Sequence, residues 1–397
     1  MLYWEVMKLK KISFFEGIRG IAALFVVFSH FIQVFYPNML SKDPFLRHSN
    51  FEDVISSSPL NLFYNGNFSV YLFFVLSGFV LSYKFFKEKR MEIIVESASK
   101  RYFRLAIPVI SSLIFAYLLM QIDFFYFDDI KQLSRSLMPD LYDSSSTLKD
   151  ILFQGIYGVF VNNDARFNPV LWTMKIELYG SMLIFSFLAI FGKMKKRGYV
   201  YIALILALYN THYLAFILGV LLSDIYNHKK YIKKNFFYPT LILGIYFSSY
   251  PYVSVEGTIY QVLNFDWLIV ISYHAFYHTI GATLLLYSVL LSIRIQNFFS
   301  NKIFLFLGKI SFSIYLIHFI FLCSVSSLIF KYMINYVSYN YAFLITLVLS
   351  LLALIPLSYL MYRYVDMSAV KVSKIFYDKT FNEREVEYNK RNNRVVN

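Results

Sequence analysis

The sequence predicts an all-α, polytopic transmembrane bundle of about ten helical segments, and three observations carry that prediction. Of 397 residues, 58% are hydrophobic and only 16% are charged, against about a quarter charged in soluble domains. Apolar runs of about 18 residues or more recur along the chain, long enough to cross a bilayer. The net charge of +14 falls in short loops between those runs. That is the positive-inside pattern of membrane proteins, not a basic face for nucleic acid.

In chain order the expected spans are 13–36, 67–86, 104–122, 169–192, 199–226, 236–253, 267–293, 303–330 and 341–364. The first follows "MLYWEVMKLKK" without a small-residue cleavage signature, so it reads as a permanent helix and not a removable signal. Lys8, Lys10 and Lys11 precede it. Lys84, Lys87, Lys89, Arg90, Lys100, Arg101 and Arg104 separate the second and third spans, and "KMKKR" (193–197) and "KKYIKK" (229–234) flank the fifth. These clusters mark the cytoplasmic side. The 121–168 loop, with seven acids against four bases, and the 254–266 loop, with Glu256, Asp266 and no base, face outward. The N-terminus is then cytoplasmic.

Because basic clusters flank both ends of 199–226, that run must cross an even number of times. "YNTH" (209–212) divides it into two short pieces, the first reaching only about 17 Å at 1.5 Å per residue, short of a roughly 30 Å core. A hairpin of two half-length helices is expected, which returns the C-terminus to the cytoplasm. Residues 1–366 read as one transmembrane domain and 367–397 as a polar cytoplasmic tail. The single cysteine, Cys323, sits in an apolar run and permits no internal disulfide.

The first span, "GIRGIAALFVVFSHF" (17–31), carries two residues that lipid-facing helices rarely tolerate. Arg19 and His30 are eleven positions apart, roughly three helical turns, so both point the same way with about 16 Å between them. A cationic mouth with a deep imidazole suits a long ligand with an anionic head and a reactive far end, the form of a coenzyme A thioester. The alternative is that Arg19 snorkels and pairs with Glu16 while His30 bonds a neighbouring helix.

"FFEGIRGIAALFVVFSHF" resembles the opening helix of the acyltransferase-3 family of integral-membrane acyltransferases, in which ten positions separate a basic residue from a histidine. Other stretches are similar in order: "FSVYLFFVLSGFVLS" (68–82), "KRYFRLAIP" (100–108), "LWTMKIELYG" (171–180), "LGKISFSIYLIHFI" (307–320) and the closing "SYLMYRYVDMS" (358–368). The chain departs from the family pattern at Glu16, where aspartate is commoner. It departs again at Lys100, which keeps the charge but loses the bidentate fork of arginine, and at "DMS" in place of Glu-x-Pro, read as structural drift.

The resemblance implies transfer of an acyl group, usually acetyl, from cytoplasmic acetyl-CoA or another short acyl-CoA to a hydroxyl of an extracytoplasmic or lipid-linked glycan, at the bacterial inner membrane. His30 is the expected base, or the acyl carrier in a two-step route. Arg19, Lys100, Arg101 and Arg104 are expected to hold the coenzyme's phosphates. Glu177 is expected to orient an imidazole or bind a substrate hydroxyl, and Trp172, Tyr315 and His318 to contact the acceptor. Ser77 and Gly78 read as close-packing positions. His274 and His278 have metal-ligand spacing but no HExxH motif or cysteine pair beside them, so a polar pair near the outer cavity is expected and no metal. A transporter or flippase of lipid-linked sugars is the alternative function, weakened by the absence of internal repeats.

Overall fold

The computed structural model describes residues 2–142, 146–228, 234–252, 255–265 and 272–382, with side chains of residues 2–12 left aside. Among these residues there are helices and no strands. Seven helical stretches are long and apolar enough to cross a membrane: Ser13–Phe35, Gly66–Glu88, Glu92–Gln121, Pro169–Phe191, Tyr273–Leu291, Lys302–Met333 and Tyr339–Phe381. The protein is a multi-pass helical bundle.

The longer helices are α1 (Leu2–Phe35), α2 (Gly66–Glu88), α3 (Glu92–Gln121), α4 (Trp172–Phe191), α5 (Gly198–Leu208), α6 (Tyr213–His228), α7 (Phe237–Ser248), α8 (Tyr273–Leu291), α9 (Lys302–Phe321), α10 (Tyr339–Met361) and α11 (Met367–Tyr377). Local chemistry sets several boundaries. Asn65 opens α2 by accepting from the Phe68 amide at 2.9 Å, and Ser272 and Asn301 cap α8 and α9 in the same way. Lys89 in the left-handed region closes α2.

The expected hairpin is present. α5 has 11 residues and α6 has 16, and their tip is held to α2 by the Tyr71 hydroxyl, which donates to His212 Nδ1 at 2.7 Å. At the opposite end Arg197 forks onto Asp224 at 2.5 and 2.7 Å. "KKYIKK" lies almost wholly outside the described residues, as do Asp266 and the last fifteen residues.

Two departures from the expected spans bear on the site. α3 begins at Glu92 and not near 104, so Lys100, Arg101 and Arg104 stand on a helix and not in a loop. The chain also stays helical past 366, through Met367–Tyr377, and that stretch packs against α3.

Packing divides the bundle into two apolar cores with α1 running between them. Phe14, Phe15, Ile18 and Ala22 join the core of α2, α4, α6 and α8. Ala23, Val27, Phe31 and Phe35 join the core of α3, α9 and α10. The closest approaches need glycine. A Cβ on Gly308 would stand 2.1 Å from the Glu16 carbonyl oxygen, pinning α9 to α1. Gly78 and Gly219 do the same for α2 and α6, as expected for Gly78. Large apolar side chains such as Leu344, Val348, Leu352, Ile242 and Leu206 are exposed, the composition of a lipid-facing surface.

Candidate functional site

Two cavities lie between the cores. The first, of about 370 Å³, is lined by Glu16, Arg19, Ser77, Arg101, Arg104, Glu177, Lys309 and Asp366 among apolar residues. The second, of about 480 Å³, is lined by His30, Gln33, Asn61, Tyr64, Asn65, Trp172 and Tyr252 among others, with no Asp, Glu, Lys or Arg among the described residues. Val70 and Tyr315 line both. The eleven-residue spacing on α1 does turn Arg19 and His30 to the interior, into two cavities that share Val70 and Tyr315 as lining residues. The Tyr315 hydroxyl donates to the Val170 carbonyl at 2.8 Å and lies 2.8 Å from Thr173 Oγ1.

In the charged cavity, Arg101 donates through Nε to Ser181 Oγ at 2.7 Å and pairs with Glu177, whose same oxygen accepts from Ser77 Oγ at 2.6 Å. Both charged side chains are 13% exposed. Breaking such a pair from one side costs about 3–5 kcal/mol, because the remaining charge stays buried. Glu177 therefore orients Arg101 and not an imidazole, a correction to the sequence reading. Ser77 likewise does more than allow close packing. Arg19 reaches Glu16 at 3.2 Å, the pairing foreseen as its alternative. Arg104 and Lys309 are exposed and enter no ion pair or hydrogen bond among the described residues. Lys100 lines neither cavity: it leans back one turn onto Glu96 at 2.6 Å and lies over the Tyr377 ring at 4.8 Å. Of the three cations on α3, the cavity holds Arg101 and Arg104.

Two cavity residues escaped the sequence reading. Lys309 stood inside a quoted motif without a role. Asp366 was set aside as drift, yet its Oδ2 accepts from Ser313 at 2.8 Å and its buried Oδ1 has no partner. A charge at the end of an apolar run was the signal available for both.

His30 lines the uncharged cavity and pairs with His318 behind it. His318 is 1% exposed, and its Nε2 lies 3.1 Å from His30 Nδ1. His30 Nδ1 also lies 3.0 Å from the Val26 carbonyl, and His318 Nδ1 3.0 Å from the Ile314 carbonyl. A carbonyl oxygen can only accept, so both Nδ1 atoms carry the hydrogen. The opposite assignment would set two lone pairs against two carbonyl oxygens. In neutral His30, Nε2 is then a bare lone pair, ready to take a proton. His318, expected to contact the acceptor, is not among the residues lining the cavity. The rings of His318 and Tyr315 are 6.0 Å apart, which brings the pair to the shared wall. Trp172 lines this cavity, 5.8 Å from the His212 ring. His274 and His278 each set Nε2 on a backbone carbonyl, of Tyr252 and Tyr250, at 2.6 and 2.9 Å.

Comparison with known proteins gives the family. A family model described as an acyltransferase domain matches residues 12–363. The chain belongs to the acyltransferase-3 family. As an acyltransferase of this family it is an acyl-transferring enzyme. It is 23% identical to O-acetyltransferase PaAT-1 of Phomopsis amygdali, covering 94% of this chain and 86% of the relative. It is also 23% identical to acyltransferase R4 of Phoma sp. (strain ATCC 20986 / MF5453), covering 77% and 82%. Both relatives are fungal, so the bacterial membrane of the sequence reading draws no support from them. No solved structure matches the acyltransferase.

Proposed function

We propose that the enzyme is an O-acetyltransferase taking acetyl from acetyl-CoA in the charged cavity and passing it to a hydroxyl in the uncharged one. The observation that carries this is the pair of adjoining cavities of opposite character, with His30 lining the second and its partner His318 near Tyr315, which lines both. Arg104 and Lys309 are free to meet the coenzyme's phosphates, with Arg19 beside them, while Arg101 is held in place by Glu177. Loop charge puts the first cavity on the cytoplasmic side, where acyl-CoA is made. The thioester end then approaches Val70 and Tyr315 as the acceptor hydroxyl meets His30.

Nε2 of His30 takes the hydroxyl proton while the oxygen attacks the thioester carbonyl carbon. The carbon–oxygen bond forms, the carbon–sulfur bond breaks, and the proton passes from His30 to the departing thiolate. Ester and free coenzyme leave. As positive charge grows on His30, its Nδ1–H bond to His318 strengthens. An acyl-imidazole route would use the same bare nitrogen. A glycan or lipid-linked glycan on the outer side is the acceptor that the sequence reading favours, with the bacterial inner membrane as location.

The test is membrane preparations given labelled acetyl-CoA. His30→Ala should lower transfer of label to extractable acceptor by about 10³-fold while acetyl-CoA still binds and lipid-linked sugar still crosses. A variant that keeps transferring label, or that loses sugar translocation instead, overturns the reading in favour of a transporter.

A further inference from the structure

The proposed transfer leaves one charge without a partner. When the acceptor oxygen adds to the thioester carbon, the carbonyl oxygen becomes an oxyanion, and the rate depends on a donor held where that charge develops. Arg19, Arg104 and Lys309 serve the coenzyme's phosphates, which the pantetheine arm separates from the thioester. Of the two residues that line both cavities, the Val70 side chain has no polar hydrogen and Tyr315 has its hydroxyl. Ser29 and Gln33, polar neighbours of His30, line the second cavity alone.

The Tyr315 hydroxyl stands in a triangle of oxygens. It lies 2.8 Å from the Val170 carbonyl and 2.8 Å from Thr173 Oγ1, and Thr173 Oγ1 lies 3.1 Å from the same carbonyl. Two hydroxyl hydrogens therefore serve one carbonyl, which needs only one of them. With Thr173 donating to Val170, three positions before it, the carbonyl stays satisfied and the Tyr315 hydrogen is spare. Leaving a buried acceptor unpaired is what ordinarily prevents such a hydroxyl from turning away. Here none is left.

Position favours the same role. Thr173 lines the charged cavity, from which the thioester arrives. Tyr315 stands three positions before His318 on α9, so their side chains share a face of that helix. The His318 ring lies 6.0 Å from the Tyr315 ring and 5.0 Å from the His30 ring. Base and hydroxyl are thus both neighbours of one imidazole.

We infer that the Tyr315 hydroxyl is the oxyanion donor of the transfer, and that Thr173 frees its hydrogen by taking over the Val170 carbonyl. The inference deepens the acetyl-transfer reading and rests on it. As His30 draws the proton and the new carbon–oxygen bond forms, the carbonyl π pair moves onto its oxygen, which accepts from Tyr315. The pair then returns, the carbon–sulfur bond breaks, and the thiolate leaves with the proton from His30. Tyr315 keeps its own proton throughout.

The test uses membrane preparations with equal amounts of each variant, given acetyl-CoA or dithioacetyl-CoA labelled in the acyl group. A thiocarbonyl sulfur accepts hydrogen bonds poorly, so an oxyanion donor shows as a preference for the oxygen compound. Tyr315→Phe should lower kcat for acetyl-CoA by about 10²-fold, leave its KM within about threefold, and shrink that preference about tenfold. Thr173→Val removes the relieving hydrogen and should lower kcat about tenfold, one neutral hydrogen bond's worth, while Thr173→Ser should restore most of the loss. If Tyr315→Phe no longer binds acetyl-CoA by calorimetry, the comparison of Thr173→Val with Thr173→Ser decides. An unchanged oxygen-to-sulfur preference in Tyr315→Phe, or equal losses in the two Thr173 variants, overturns the inference. A parent protein that binds acetyl-CoA but transfers no label overturns the transfer reading, and this inference with it.

Discussion

The two cavities are built by the same helices yet solve opposite problems. In the charged one, seven ionisable side chains from α1, α3, α4, α9 and the end of α10 converge, and the buried pair of Arg101 and Glu177 anchors them. In the uncharged one, polarity comes from amides, hydroxyls and a neutral imidazole pair whose hydrogens are set by helix carbonyls. The difference teaches that one bundle can hold a charged and an uncharged cavity next to each other. The expensive desolvation is confined to one of them, and a hydrogen-bonded tyrosine lines both.

The wall is the place to break this comparison most severely. Val70 lines both cavities and is 6% exposed. Val70→Trp should block approach of the thioester and lower acetyl transfer by about 10²-fold, the scale of a 1 Å misplacement, with acetyl-CoA still bound by calorimetry. Transfer at the parent rate would show that the acyl group does not pass there. The charged cavity comes next. Arg104→Ala with Lys309→Ala should raise the donor KM by about thirtyfold, each lost charge-assisted contact being worth about 1 kcal/mol at an exposed site, with kcat within about threefold. Added salt should mimic the double variant.

The smallest effect sharpens the role of the imidazole pair. His318→Phe removes the group that His30 Nδ1–H meets and should lower kcat about tenfold, one neutral hydrogen bond's worth, without changing either KM. His318→Gln offers a carbonyl oxygen in its place and should recover most of that loss. Equal losses in the two variants would mean that His318 serves packing alone.

Much of the fold was legible because membrane burial writes long apolar runs into the sequence. The half-length hairpin was legible from a conflict between loop charges and one over-long run, which only an even number of crossings resolves. The inward facing of Arg19 and His30 followed from helical period. The partners of those residues were not legible: Glu177 and Arg101 are separated by 76 positions, and His30 and His318 by 288. Nothing local to either segment encodes which helix lies opposite. Asp366 was misjudged for the same reason, since a departure from a familiar closing motif says nothing of the cavity it faces.

By itself, then, the sequence determined the solvent, the class of fold, the order of the helices and the chemical types held inside it, because hydropathy, charge and helical period are properties of contiguous residues. Only the tertiary structure decided that the interior holds a charged and an uncharged cavity, that Tyr315 lines both, and which nitrogen of His30 is bare. Those depend on hydrogen bonds and close approaches between helices hundreds of residues apart, and they are fixed by packing and not by period.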